Sequence, residues 1–265
     1  MGVKIDAIGV GKRYPGRRSA DFIEALRDFT LQILDGEFLA IVGPSGCGKS
    51  TFLNAVAGLE RIDEGRLLMD GAPITRAGAD RGVCFQDFAL FPWMTVRQNV
   101  EFSLEAQGRP RAERREIGRK FIELVQLRGF EDRYPYELSG GMKQRCALAR
   151  LVAGDPAVLL MDEPLAALDA QTRLILQNEI LSIWGEGRPG RRKTVIFVTH
   201  SIDEAVFLAD RIVVMTGRPG QIKEIVVNPL PRPRADRLRG ESAFSRLTMD
   251  IWELVRDAAV KAIET

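Results

Sequence analysis

The sequence predicts an α/β fold whose core is a largely parallel sheet, and three observations carry that expectation. The runs FLAIV at 38–42, AVLLM at 157–161 and VIFV at 195–198 are apolar throughout, as strands covered on both faces must be. A glycine-rich stretch at 43–48 separates the first run from a helical segment at 50–57. From 95 to 154 the pattern turns helical without strand signals, which predicts a helical subdomain, about 88–155, inserted into the sheet-bearing body.

The remaining elements follow in order. Runs 4–14 and 23–33 read as strands, and the turn-rich stretch 58–78 holds one short strand at 66–69. Inside the helical block, Phe121, Leu124, Val125 and Leu127 fall at helix spacing between flanks rich in Arg and Glu. Residues 170–184 read as a helix, 185–193 (GEGRPGRRK) as a basic surface loop, and Arg218-Pro219-Gly220 as a hairpin turn. The stretch NPLPRPR at 228–234 breaks the sheet pattern and is expected to be a linker, giving a main domain at 1–228 and a tail at 229–265. In that tail Phe244, Leu247, Ile251, Leu254 and Ala258 mark one face of an amphipathic helix.

Composition narrows the function. The chain has 265 residues, with 38 Lys+Arg against 36 Asp+Glu, so a net charge of +2 exerts no general pull on nucleic acid. Its 1 histidine excludes zinc sites built on paired imidazoles. The 3 cysteines, Cys47, Cys84 and Cys146, are widely spaced and fit a reducing compartment better than a disulfide framework. No apolar run reaches the roughly 18 residues of a membrane span, so the protein is expected neither to be exported nor to cross a bilayer.

Three motifs carry chemistry. Gly43-Pro44-Ser45-Gly46-Cys47-Gly48-Lys49-Ser50, followed by Thr51, fits G-x-x-x-x-G-K-[ST] between an apolar strand and a helix. The glycines let backbone N–H groups wrap phosphates, Lys49 reaches the β and γ phosphates, and the Ser50 hydroxyl suits Mg²⁺. Cys47 reads as a tolerated small residue in that loop. The strand at 157–161 delivers Asp162 and Glu163 at its carboxyl end, the first suited to the Mg²⁺ shell and the second to polarising water. In LSGGMKQR (138–145), Ser139, Gly140 and Gly141 open a second helix whose N-terminus can receive an anion. Ser139 would serve equally as an ordinary helix cap, but a second glycine disfavours that plain reading.

LSGGMKQR resembles the signature motif of ABC-type ATPases, and further hallmarks fall in that family's order: Tyr14, Gln86 in VCFQD, Asp169 in ALD and His200 in FVTHS. The resemblance spans 14–227. It implies a P-loop NTPase with a RecA-like mixed and parallel sheet, an N-terminal antiparallel β subdomain and an inserted helical subdomain. It also implies that Tyr14 stacks on adenine, that Gln86 reaches the metal and the catalytic centre, and that His200 contacts the γ-phosphate. Two chains would pair head to tail, each ATP held between the phosphate loop of one and the Ser139-Gly140-Gly141 helix end of the other, with Asp169 at the junction. The chain departs from the family pattern at Ala166, where Ser or Gly is usual, and at Leu165, often Phe.

FQDFALFPWMTVRQNV (85–100) and THSIDEAVFLADRIVVMTGRPGQI (199–222) resemble the nitrate/sulfonate/taurine importer branch. That resemblance implies an ATPase subunit on the cytoplasmic face of the inner membrane. It would bind a separate permease through part of the cluster Phe88, Leu90, Phe91 and Trp93, and through the permease would serve a periplasmic or extracellular solute-binding protein. The cluster's other reading is the core of the helical subdomain. A soluble ABC-type ATPase outside transport is the alternative function, and its usual tandem halves or coiled-coil insertion are not seen in this sequence.

Overall fold

The computed structural model describes residues 2–16, 21–185 and 192–263. The basic loop expected at 185–193 therefore lies largely outside the described residues. The chain divides into two compact units, 1–78 with 184–265 and 79–183.

In the first unit, β1 (Val3–Pro15) and β2 (Phe22–Leu34) form a long antiparallel pair. Strands β4 (Glu64–Met69) and β5 (Ala72–Pro73) extend it in the order β2-β1-β4-β5. Inward positions Ile5, Ala7 and Val10 of β1 face Phe29, Leu31 and Ile33 of β2, all at most 2% exposed. Strand β3 (Phe38–Val42) is buried at every position, which explains its unbroken apolarity. It pairs in parallel with β8 (Thr194–Val198) on one side and β9 (Arg211–Met215) on the other. Strand β10 (Ile222–Val227) adds antiparallel to β9. Burying each such Ile, Leu or Phe side chain contributes about 1.5–3 kcal/mol to the unit's stability.

Helix α1 (Lys49–Ala57) follows β3, α6 (Ile202–Leu208) follows β8, and α7 (Ser242–Ile263) closes the unit. In α7, Phe244, Leu247, Ile251 and Ala258 are buried and Leu254 half-buried, as the amphipathic pattern predicts. The stretch at 228–234 is tied down along its length. The Asn228 amide donates to the carbonyls of Val206 and Ala209, at 2.8 and 2.9 Å. Buried Arg234 donates to the carbonyls of Val206, Phe207 and Ala209. The segment thus satisfies the last carbonyls of α6, which a helix of this length cannot bond within itself.

The second unit carries β6 (Arg81–Cys84) parallel to β7 (Val158–Asp162), and the helices α2 (Val96–Ala106), α3 (Arg111–Leu124), α4 (Gly140–Ala153) and α5 (Ala170–Trp184). It is wider than the helical block expected at 88–155 because it takes in β6, β7 and most of α5. Its helical core gathers Val96, Val100, Leu104, Ile122, Leu138, Cys146 and Ala149.

The helical pattern expected from 95 begins there: residues 85–95 form an irregular loop, and α2 starts where Thr95 and Gln98 cap each other reciprocally. One local expectation is corrected. Helix α3 stops at Leu124, before Val125 and Leu127, because Gln126 adopts a left-handed backbone with φ +57°. Both apolar residues are still fully buried, so the periodicity reported burial and not helix. Strands β5, β6, β9 and β10 and helix α6 add to the elements expected from the sequence.

Candidate functional site

In the first unit the site is built where β3 ends. Gly46 and Gly48 have φ of +71° and +98°, left-handed values that a side chain would strain. Gly48 is also the N-cap of α1 and supplies no side-chain bond, and the first turn holds no acidic residue. The leading N–H groups of α1 are therefore not capped by its N-cap side chain, the arrangement that receives phosphate. Lys49 is 5% exposed, and its ammonium donates to the carbonyls of Gly43 and Pro44, both at 2.9 Å. Pro44, Ser50 and Thr51 are half-buried, while Ser45 and Gly46 are exposed. The Cys47 thiol lies 3.8 Å from the Lys49 ammonium, and burial pushes its pKa up, so it stays a neutral packing residue.

His200 emerges at the same edge. Because β8 runs parallel beside β3, with Ile41 opposite Val198, the two strands present their carboxyl ends side by side. Thr199 is buried, accepts from the Ser201 N–H at 3.0 Å and donates its hydroxyl to buried Glu204 at 2.6 Å. The Ser201 hydroxyl caps α6 by accepting from the Glu204 N–H. His200 itself is exposed between these two fixed residues. Tyr14 sits half-buried near the end of β1, paired with Ile23, and the Lys12 ammonium lies 5.2 Å from its ring centre.

In the second unit the parallel pairing of β6 with β7 brings the residues after each strand together. Cys84 is opposite Met161, so Gln86 and Glu163 meet, and the Gln86 amide donates to the Glu163 carboxylate at 3.3 Å. Glu163 has φ +48°, a strained backbone for a non-glycine residue of the kind that clusters at functional sites. Asp162, one residue earlier, is 7% exposed. Ser139 caps α4 by accepting from the Met142 N–H, with Gly140 exposed and facing open space. Gly141 packs against Leu168, where a Cβ would stand 3.3 Å from the Leu168 side chain. Asp169 caps α5 by accepting from the Thr172 N–H and hydroxyl at 2.9 and 2.7 Å. The Thr172 N–H is the main reason the Asp169 carboxyl is held below its usual pKa.

The loop at 85–95 is shaped rather than slack. Buried Asn99 accepts from the Phe91 N–H and donates to the carbonyls of Phe91, Met94 and Thr95. Arg150 donates to the carbonyls of Phe88 and Ala89, both at left-handed φ. Phe91 is thereby set 4.5 Å from Phe102 and 5.6 Å from Trp93, centre to centre, and Trp93 is 69% exposed.

The ABC transporter family matches this chain over residues 26–166. Its relatives include an uncharacterized ABC transporter ATP-binding protein of Methanocaldococcus jannaschii, 54% identical over 91% of this chain and 88% of that one. This chain belongs to the ABC transporter ATP-binding family. It is also 43% identical to an aliphatic sulfonates import ATP-binding protein of Bacillus cereus, over 89% of each chain. A nitrate import ATP-binding protein of Synechocystis is 40% identical over 98% of each. Among solved structures, a dimeric ATP-binding cassette in a post-hydrolysis state, bound to ADP and Pi, is 30% identical with a TM-score of 0.76. It covers 86% of this chain and 100% of its own.

This ABC protein is therefore an ATP-binding ATPase with the mixed α/β P-loop NTPase fold, as the sequence predicts. One pair that sequence reasoning missed stands behind His200: Thr199 and Glu204 fix the backbone on both its sides. The signal was available, since Ser201 followed by Glu204 is the S-x-x-E spacing of a helix start.

Proposed function

We propose that this ATPase is the energising subunit of a bacterial importer, working as a head-to-tail dimer beneath a separate membrane permease. The observation that carries the dimer is the presence of two glycine-bearing helix starts in one chain. Helix α1 opens with Gly48 and Lys49, and α4 opens with Ser139, Gly140 and Gly141; neither has an acidic residue in its first turn. In a sandwich of two copies, one start holds the phosphates from one side and the partner's other start closes over them.

In this reading Lys49 and the loop 43–51 bind the β and γ phosphates, Tyr14 stacks on adenine, and Asp169 lies at the dimer junction. Glu163 orients the attacking water and takes its proton, with Gln86 holding the carboxylate in place. His200 contacts the γ-phosphate. Ser50, Gln86 and Asp162 offer hydroxyl, amide and carboxylate oxygens, a hard donor set that fits Mg²⁺ together with substrate phosphates. Among the described residues no group of three or more His, Cys, Asp or Glu side chains gathers as a metal cage, which suits an ion held partly by its nucleotide. When bound, Mg²⁺ neutralises phosphate charge.

The import-type names of the relatives support transport of a nitrate- or sulfonate-like solute, and taurine belongs to the same chemical group. Among the described residues no helix is long and apolar enough to cross a membrane. Attachment at the cytoplasmic face of the inner membrane then rests on the permease, for which exposed Trp93 and Phe102, with half-buried Phe91 between them, offer an apolar seat. A solute-binding protein outside that membrane would meet the permease and not this chain. The decisive experiment is Glu163→Gln: hydrolysis should fall by at least about a hundredfold while ATP still binds and drives dimerisation in size-exclusion chromatography. Wild-type turnover, or a monomer at saturating ATP, would overturn the reading.

A further inference from the structure

The Arg218-Pro219-Gly220 turn, between β9 and β10, has no part in the hydrolysis described above, yet it packs on the phosphate loop. The Gly220 N–H donates to the Ala25 carbonyl at 2.9 Å, and the Gly220 carbonyl accepts from the Arg27 N–H at 3.1 Å. This single-residue parallel bridge at Leu26 locks the turn onto β2. The same stretch of β2 backs the loop: a Cβ on Gly48 would lie 2.6 Å from the Ala25 carbonyl oxygen and 2.9 Å from the Leu26 side chain. A Cβ on Gly220 would fall well inside the carbonyl oxygen of Cys47. At the loop's start, a Cβ on Gly43 would stand 3.1 Å from both Cβ and carbonyl oxygen of Met215.

Arg218 reaches the loop's tip. Its Nε donates to the Gly46 carbonyl at 3.4 Å, and its Nη2 lies 3.1 Å from where a Cβ on Gly46 would be. Thr216 closes the turn from within, its hydroxyl oxygen accepting from the Gln221 N–H at 3.0 Å. Gly43, Gly46, Cys47 and Gly48 are thus each met either by residues 215–220 or by the strand to which they are bridged. The loop's glycines serve close approach of this support as well as phosphate.

We infer that the 216–221 turn is a brace that fixes the phosphate loop's backbone, with Arg218 as a positioning residue for nucleotide binding. In a trans peptide the N–H points opposite to the C=O, so holding the Gly46 carbonyl also sets the direction of the Cys47 N–H, which closes the loop on itself by donating to the Pro44 carbonyl at 3.4 Å. A loop held in one shape presents its N–H groups without first losing conformational freedom. The brace acts on phosphates common to ADP and ATP. This inference rests on 43–50 being the nucleotide site.

The test titrates the purified full-length chain with ADP and with the non-hydrolysable analogue AMP-PNP. Arg218→Ala should weaken both by a similar factor, about tenfold, the scale of one lost hydrogen bond to a charged group. Its thermal midpoint should stay within about 2 °C of wild type, because an exposed side chain supports little of the core. Arg218→Gln places an uncharged donor where Nε stood and should retain affinity within about threefold. Unchanged affinity in Arg218→Ala overturns the proposal, as does a loss in Arg218→Gln equal to that of Ala, or a loss of ADP binding matched by a collapse in stability. Lys49→Ala separates the two readings. If it abolishes binding while Arg218→Ala does nothing, only the brace fails; if Lys49→Ala binds normally, the phosphate-loop site falls and the brace with it.

Discussion

His200 shows how a single residue becomes useful through its neighbours. It is the only imidazole in the chain, it is exposed, and the backbone on either side of it is held by Thr199 and by the Ser201 cap of α6. A side chain so presented can meet a phosphate without a prior search for its position. His200→Ala is expected to lower steady-state ATPase at least about tenfold, the effect of losing about 1.4 kcal/mol from the transition state. An unchanged rate in a phosphate-release assay would remove it from the mechanism. Glu163 is a second case. Its identity follows from four apolar residues and two carboxylates in the sequence, but its left-handed backbone and its bond to Gln86 depend on the pairing of β6 with β7.

At the scale of elements, the clearest lesson is the stretch 228–234. Proline content suggests a linker, but Asn228 and Arg234 spend their donors on the end of α6, the helix that follows His200. Arg232 adds a bond to the Leu208 carbonyl and an ion pair with Asp210, and its guanidinium stacks 4.3 Å from the Trp184 ring centre. Arg234 is 5% exposed, so removing it takes the donor from the Phe207 carbonyl and leaves those of Val206 and Ala209 to Asn228 alone. Arg234→Ala should therefore destabilise the protein by roughly 2–3 kcal/mol, read as a lower urea midpoint at unchanged slope. A loss below about 0.5 kcal/mol would mean that the segment is a linker after all. Proline was informative only about the backbone it forbids, and nothing in it announced the arginine and asparagine donors nearby.

For the whole molecule, the question is what this ATPase touches. The loop 85–95 is held by Asn99 and Arg150 so that Trp93, 69% exposed, adjoins half-buried Phe91 and exposed Phe102, and a contiguous apolar patch is the kind of surface that partners cover. A photo-crosslinking amino acid at position 93, in membranes holding the assembled transporter, should capture a multi-spanning permease. Capture only from positions on remote surfaces would count against this seat.

Motif spacing was sufficient to place the glycine-rich loop between β3 and α1, the paired carboxylates at the end of β7 and the start of α4, and apolar runs were sufficient to find β3, β7 and β8. These signals are local: the loop, its strand and its helix are contiguous, and a strand buried on both faces must be apolar at every position. Chain folding alone supplied the rest. The brace on the phosphate loop joins residues 25–27, 43–48 and 215–220; behind His200, Thr199 is tied to Glu204, and the end of the same helix, 206–209, is tied to 228–234. Such contacts form between backbone groups far apart in sequence, where no periodicity records them and where a glycine needed for close approach looks like any other turn residue.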